Sequence, residues 1–191
     1  MSDPNLLVSS GPRAPGRARR EITARLRALG DEAPEIGPLL TRGIRAVRTS
    51  LDPRLVVADL RALCMRSPGA FRFTWRWVPV DLWTGPDLEA MRQGVAGLRE
   101  RIGQGESWRL TLEVRTQDHP DARTVIAALA ALIDARVDLS HPDKILLVEI
   151  FQDRVALAVL GPSEVFSVVK VREEAAGHLR ARRTLERADE G

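Results

Sequence analysis

Residues Val137–Ile150 read VDLSHPDKILLVEI. An amphipathic helical pattern ends here, a charged corner punctuated by Pro142 follows, and a nearly unbroken apolar run then begins. The run KILLVEIF has the length and composition of a strand covered on both faces. Asp138, His141, Asp143 and Lys144 therefore gather at the mouth of a buried strand. Four polar groups in such a place suit a catalytic site, a metal site, a binding surface or a well-made turn. As a turn, Asp138 satisfies backbone donors around the corner and Pro142 stops the helix. Asp143 and Lys144 then keep the start of the strand hydrated.

On the N-terminal side, SWRLTLEVRTQ turns Leu110, Leu112 and Val114 one way and Arg109, Thr111, Glu113 and Arg115 the other, which predicts a strand. A helix is expected from about Asp121 to Val137, with Val125, Leu129, Leu132 and Ile133 on its apolar face. Another carries Leu88, Met91, Val95, Leu98 and Ile102. On the C-terminal side, RVALAVL and VFSVVKV are expected to complete the same sheet. The final REEAAGHLRARRTLERADEG reads as a charged helix or frayed tail. The turn-rich DLWTGPD marks a boundary. The expected units are residues 1–81, residues 82–170, and a charged segment 171–191.

The first unit opens with a strand in NLLVSSG, the loop PRAPGR, and a helix with Ile22, Leu26 and Leu29 at helical spacing and Gly30 at its end. EIGPLLTRGIRAVRTS reads as two short strands or as one strand broken at Gly37-Pro38. A second helix starts with Asp52 as N-cap and Pro53 at the first helical position, and turns Val56, Leu60 and Leu63 inward. In FRFTWRWVPVD, Phe71, Phe73, Trp75 and Trp77 alternate with Arg72, Thr74 and Arg76. The order β-α-β-β-α-β is that of a ferredoxin-like sandwich. The alternation resembles the stacking platforms of RNA-binding sheets, but the RNP1 pattern is absent, so Phe73, Trp75 and Trp77 are expected beneath the two helices, leaving Arg72 and Arg76 on an open sheet face.

The composition is that of a globular chain: 191 residues, 44% hydrophobic and 29% charged, with a formal net charge of +3. All but two of the 29 basic residues are arginine, the exceptions being Lys144 and Lys170. Arginine's planar fork suits phosphate, although arginine-rich codon usage explains the same ratio. The lone Cys64 falls on an apolar helical stripe and forms neither an internal disulfide nor a cysteine zinc site. No run reaches the roughly 18 apolar residues of a membrane span, and the N-terminus lacks a signal-peptide pattern, so a cytoplasmic address is expected.

Chemistry is poorly signalled. The loop carrying Arg13, Arg17, Arg19 and Arg20 has neither G-x-x-x-x-G-K-[ST] nor G-x-G-x-x-G, and fits a solvated basic loop or a contact to nucleic-acid backbone. His119, His141 and His178 have no second histidine at ligand spacing, and His119 and His141 suit turns beside Pro120 and Pro142. GPSEV around Ser163 is not a nucleophile elbow. No catalytic residue, metal site or cofactor is expected. Arg115, Arg123, Lys144 and Lys170 fall near element ends that could share one side of the second unit.

The combined pattern resembles a THUMP domain. Val137-Asp138-Leu139, Pro142-Asp143 and Val148-Glu149 stand where such domains show a valine-aspartate-leucine turn, a proline-aspartate pair and a strand ending in valine-glutamate. LTLEVRT and a small-residue helix precede them, VALAVL and FSVVK follow, and RFTWRWVPVD resembles the lead-in strand. His141 and Ser140 depart from the family's usual asparagine and lysine. The resemblance covers roughly residues 71–170, and the N-terminal unit by its order of elements.

It implies an α+β protein with an N-terminal ferredoxin-like sandwich followed by a THUMP domain with a mixed sheet. THUMP domains bind RNA in tRNA-modifying proteins, usually fused to a catalytic domain. With no such domain in this chain, the resemblance is to stand-alone THUMP proteins that assist tRNA cytidine N4-acetylation by a separate acetyltransferase. The implied partners are tRNA and that acetyltransferase. The expected RNA-binding residues are Arg72, Arg76, Arg115, Arg123, Lys144 and Lys170. An RNA-modifying enzyme with an unrecognised site, and a protein-only interaction module, stand as alternatives.

Overall fold

The computed structural model describes residues 3–11, 14–117 and 121–189, with side chains to residue 178. Arg13 and His119 lie outside the described residues. The fold is α+β, built on two sheets.

The first sheet contains β1 (Leu6–Ser10), β2 (Glu35–Thr41), β3 (Ile44–Arg48) and β4 (Thr74–Pro79), in the spatial order β2-β3-β1-β4 and antiparallel throughout. Two helices, α1 (Pro15–Ala28) and α2 (Pro53–Arg66), cover one face. The expected ferredoxin-like order is present. Asp52 caps α2 by accepting hydrogen bonds from the Arg54 and Leu55 amides, with Pro53 at the first helical position. Its inner stripe is Val56, Val57, Leu60 and Cys64, and Leu63 packs at the margin.

Of the two readings of EIGPLLTRGIRAVRTS, two strands is the one formed, as β2 and β3, and two other local expectations are corrected. Gly37-Pro38 does not break the chain between two strands. It sits inside β2 as an irregularity in pairing, and the turn falls at Gly43, whose φ of +81° suits glycine. PRAPGR is not all loop, because α1 starts at Pro15 and takes Arg17, Arg19 and Arg20 into its exposed first turns.

The aromatic alternation also breaks. Glu21 of α1 accepts hydrogen bonds from the amides of Arg72, Phe73 and Thr74 at 2.7, 3.2 and 2.9 Å, which holds the chain outside the sheet until Thr74. Ser10 then pairs with Thr74 but Ser9 with Arg76, so Trp75 is the extra residue of a β-bulge. Trp77 lies fully buried under the helices, whereas Trp75 is 50% exposed.

The second sheet has the order β5-β8-β7-β6, from β5 (Leu82–Thr84), β6 (Trp108–Val114), β7 (Lys144–Ile150) and β8 (Val155–Leu160). β6 and β7 are parallel and the other pairs antiparallel, which makes it mixed. Helices α3 (Leu88–Leu98) and α4 (Ala122–Ala130) cover one face. The expected long helix to Val137 is not formed. Residues 131–137 leave it to pair with the start of β6. There the Trp108 amide donates to the Arg136 carbonyl and the Asp138 amide to the Trp108 carbonyl, both at 2.9 Å.

β7 is buried on both faces, as its composition predicts. Leu146, Val148 and Ile150 meet the helices, while Leu147, with Ala156 and Ala158 of β8, meets Leu7 and Val78 of the first sheet. The second sheet therefore covers this face around Leu7, Ile44 and Val78, and the open sheet face expected for Arg72 and Arg76 is not formed. Near Ala156 and Ala158, small side chains let the sheets approach. Asp81 ties the units at the edge: it takes Arg54 at 2.9 Å and Arg101 at 2.6 Å, and accepts from the Val159 amide at 2.8 Å.

VFSVVKV does not complete the second sheet. Phe166–Ser167 forms β9, which adds to the first sheet beside β4, and Val168 starts α5 (Val168–Asp189) against α2. Phe166 meets Phe71 edge-on, with ring centroids 4.9 Å apart, and Val168 and Val171 fill the same core. Apolar spacing here follows a helical period from Val168 to Ala175, which a short strand cannot bury on one side. Among the described residues, no helix is long and apolar enough to cross a membrane.

Candidate functional site

The polar corner at the mouth of β7 is held by backbone capture. Asp138 accepts from the amides of His141 and Ser140 at 2.8 and 2.9 Å, and the His141 and Ser140 N–H groups hold its carboxyl below the usual carboxylate range. Asp143 accepts from the Ser107 amide and hydroxyl, each at 2.7 Å, and these two bonds, the amide first, likewise lower its pKa. In return the amides of Asp143 and Lys144 donate to the Ser107 carbonyl at 3.0 and 2.9 Å. This reciprocal clasp joins the starts of β6 and β7. Asp143 thus does more than hydrate the strand, and Asp138 and Asp143 are a scaffold.

Strand alternation then decides which side chains meet the first sheet. Lys144 shares the helix-covered face with Leu146 and Val148, whereas Ile145, Leu147 and Glu149 point to the first sheet. Arg109, Thr111 and Glu113 of β6 share that second direction. They line a groove of about 750 Å³ together with Arg76 of β4, Arg61 of α2 and Lys170 of α5. Ser140 and His141 stand at its rim.

The groove's cations are partly committed. Arg61 pairs with Glu174, and Arg76 with the buried Glu149 at 2.7 Å. Arg109 Nη1 donates to the Leu139 carbonyl at 3.0 Å, which ties the groove to the polar corner. Lys170 is exposed and has no ion-pair partner among the described residues. Arg115 Nε stands 3.6 Å from Glu149 as an ion pair without a hydrogen bond, and Arg115 reaches Glu113 at 3.2 Å. One buried carboxylate therefore holds arginines from both units. Such a pair is mainly a positioning device, since desolvation offsets much of its attraction.

Of the candidates read from the sequence, Arg76 and Lys170 meet in this groove. Arg115 lies beyond Glu149, beside a second open cavity near β2 and β3. Arg72 is exposed ahead of β4, held by its backbone to Glu21. Arg123 is exposed in the first turn of α4, and Lys144 pairs with Glu106 at 3.6 Å. These residues do not share one side of the second unit. Arg61 and Arg109 were not foreseen as site residues. Arg109 was legible as an outward residue, but only sheet-on-sheet packing shows that outward means toward the groove.

Neither a family model nor a curated protein matches the sequence. Solved structures match the fold. PH1313 from Pyrococcus horikoshii Ot3 superposes with a TM-score of 0.60 at 16% identity, over 82% of this chain and 54% of that one. A 4-thiouridine synthetase, solved in complex with RNA and bound ATP, matches with a TM-score of 0.53 at 14% identity, over 87% of this chain and 42% of its own. TrmN from Thermus thermophilus gives 0.53 at 15% identity, over 81% and 44%. The chain thus spans about half the length of the structures it matches, and it has the fold that those proteins carry over that part.

Proposed function

We propose that this protein is a THUMP-type RNA-binding module that grips tRNA by its phosphates and serves as a noncatalytic adaptor in tRNA modification. The observation that carries the reading is the intersheet groove, where Arg61, Arg76, Arg109 and Lys170 line one channel against Glu113 and Glu174. The Val137–Glu149 pattern supports the THUMP assignment, and the shared fold with an RNA-bound 4-thiouridine synthetase supports RNA as ligand. On this reading residues 1–81 are the ferredoxin-like unit and 82–170 the THUMP unit, with β9 returning to the first sheet. Arg72, Arg115, Arg123 and Lys144 are further phosphate contacts that extend the footprint beyond the groove. The modification is N4-acetylation of cytidine by a separate cytoplasmic acetyltransferase, which the adaptor assists by raising the effective concentration of tRNA at the enzyme.

Reconstitution with tRNA, acetyl-CoA and the acetyltransferase tests this, with and without the protein. Stimulation is expected. Acetylation by this chain alone, or no stimulation of the correct enzyme, would overturn the adaptor role. Binding itself is tested by salt: the four groove cations alone make affinity fall on the order of 10²-fold between 50 and 200 mM, and the further contacts steepen the fall. A salt-insensitive affinity contradicts phosphate gripping.

A further inference from the structure

We propose that Trp75 and the small cavity beside it form a stacking pocket for one unpaired nucleotide of the bound RNA, a reading that rests on the RNA-binding function above. Trp75 is half exposed, while Trp77 and Trp108 are buried and Trp83 is anchored by its Nε1, which donates to the Pro4 carbonyl at 2.6 Å. The bulge places it there. Glu21 fixes the chain at Thr74, and the Ser10 amide is held by the Gly43 carbonyl at 2.7 Å, so the extra residue turns outward. The indole rests on Gly11, where a Cβ would stand 3.1 Å from Trp75 Cζ2.

The cavity next to this ring has a volume of about 250 Å³. Pockets that enclose whole cofactors measure roughly 300–1,000 Å³, so this one suits a single base. Its rim is cationic. Arg42, Arg76 and Arg115 line it against the one carboxylate of Glu149. Arg42 is exposed without an ion-pair partner among the described residues. The cavity shares Arg76 with the large groove, and Arg42 and Arg115 with the open cavity beyond. A backbone following the groove cations therefore passes the indole. None of the other exposed large apolar side chains lines the cavity. A solitary aromatic ring among arginines suits a base with flanking phosphates better than an apolar protein surface. Because every base has a π-face, the pocket accepts any of them.

The test compares a duplex RNA carrying a single-stranded overhang with a blunt duplex of the same length, on the intact protein, W75A and W75F. Trp75→Ala should weaken the overhang RNA roughly five- to 150-fold, the range for losing one stacked base, and the blunt duplex less than twofold. The intact protein should show quenching of indole emission on binding, and Trp75→Phe should restore most of the overhang affinity while abolishing that quenching. Thermal melts verify that both variants fold. Equal loss on both RNAs, no loss on either, or a wild type that prefers neither RNA overturns the stacking pocket while leaving phosphate binding intact. Failure of the wild type to bind either RNA sinks the RNA-binding function and the pocket with it.

Discussion

Asp31, Asp138 and Asp143 show how single carboxylates hold this fold. Burial alone raises the Asp31 pKa, but hydrogen bonds from the Thr49 hydroxyl and from Ser50 and Ala33 outweigh it and bring it below the ordinary value. All three groups thus have folded pKa values below their unfolded ones of about 3.9. Their stabilisation is complete above the unfolded pKa and is lost as pH falls through the folded pKa. Thermal melts from pH 6 to pH 2 should show a falling Tm below about pH 4, and D138N/D143N should narrow its gap to wild type across that window. A constant gap would show that the carboxylate charge is not what the turn uses. Gly43 is a second residue-scale lever. Its positive φ is disfavoured for L side chains, and a Cβ would lie 2.6 Å from the Ser10 carbonyl oxygen. Gly43→Ala should destabilise by more than about 1 kcal/mol in denaturant titration.

Among the elements, β9 and the start of α5 matter beyond their length. They carry the chain from the second sheet back to the first and close the core around Phe71. Phe166 is fully buried and touches both α2's core and Phe71. Phe166→Ala should therefore cost about 3–5 kcal/mol, measured by urea unfolding. A loss under 1 kcal/mol would mean that the returning strand is an ornament on a self-sufficient ferredoxin-like unit. The bulge in β4 works differently. It leaves half of a large indole in solvent, forgoing on the order of half of the about 1.5–3 kcal/mol that full burial of a big apolar side chain contributes.

Across the whole molecule, the two sheets meet through an apolar patch, and charged ties between them include Asp81 with Arg54 and Arg101, Glu164 with Arg54, and Glu149 with Arg76. Glu149 is 1% exposed and engages Arg76 and Arg115, which line the proposed RNA path. Glu149→Gln should lower stability by about 1–3 kcal/mol, because its partners lose a charged acceptor. The same change removes one negative charge from the cavity beside Trp75 and should raise RNA affinity at low salt. Stability and affinity moving in the same direction would contradict this division of labour. Charge reversal of Arg109 and Lys170 together should weaken tRNA binding more than reversal of Arg123 and Lys144, which lie on the helix side. Reversal acting equally on both pairs would place the RNA around the whole second unit.

The sequence by itself determined what depends on neighbours a few residues away. The capped start of α2, the doubly covered β7, the β-α-β-β-α-β order and the Asp138 turn are all set by local periodicity, φ preferences and short-range hydrogen bonds. Three features were out of its reach. Residues 131–137 exchanged helical bonds for pairing with Trp108, whose partner is distant in the chain. Trp75 left the aromatic stripe because Glu21, on another element, holds the strand's entrance. Arg61 of α2, Arg76 of β4, Arg109 of β6 and Lys170 of α5 became one groove only when the two sheets and these helices packed together. Periodicity tells which residues share a face of one strand. What that face meets is decided by the packing of elements far apart in sequence, and so the groove belongs to the tertiary structure.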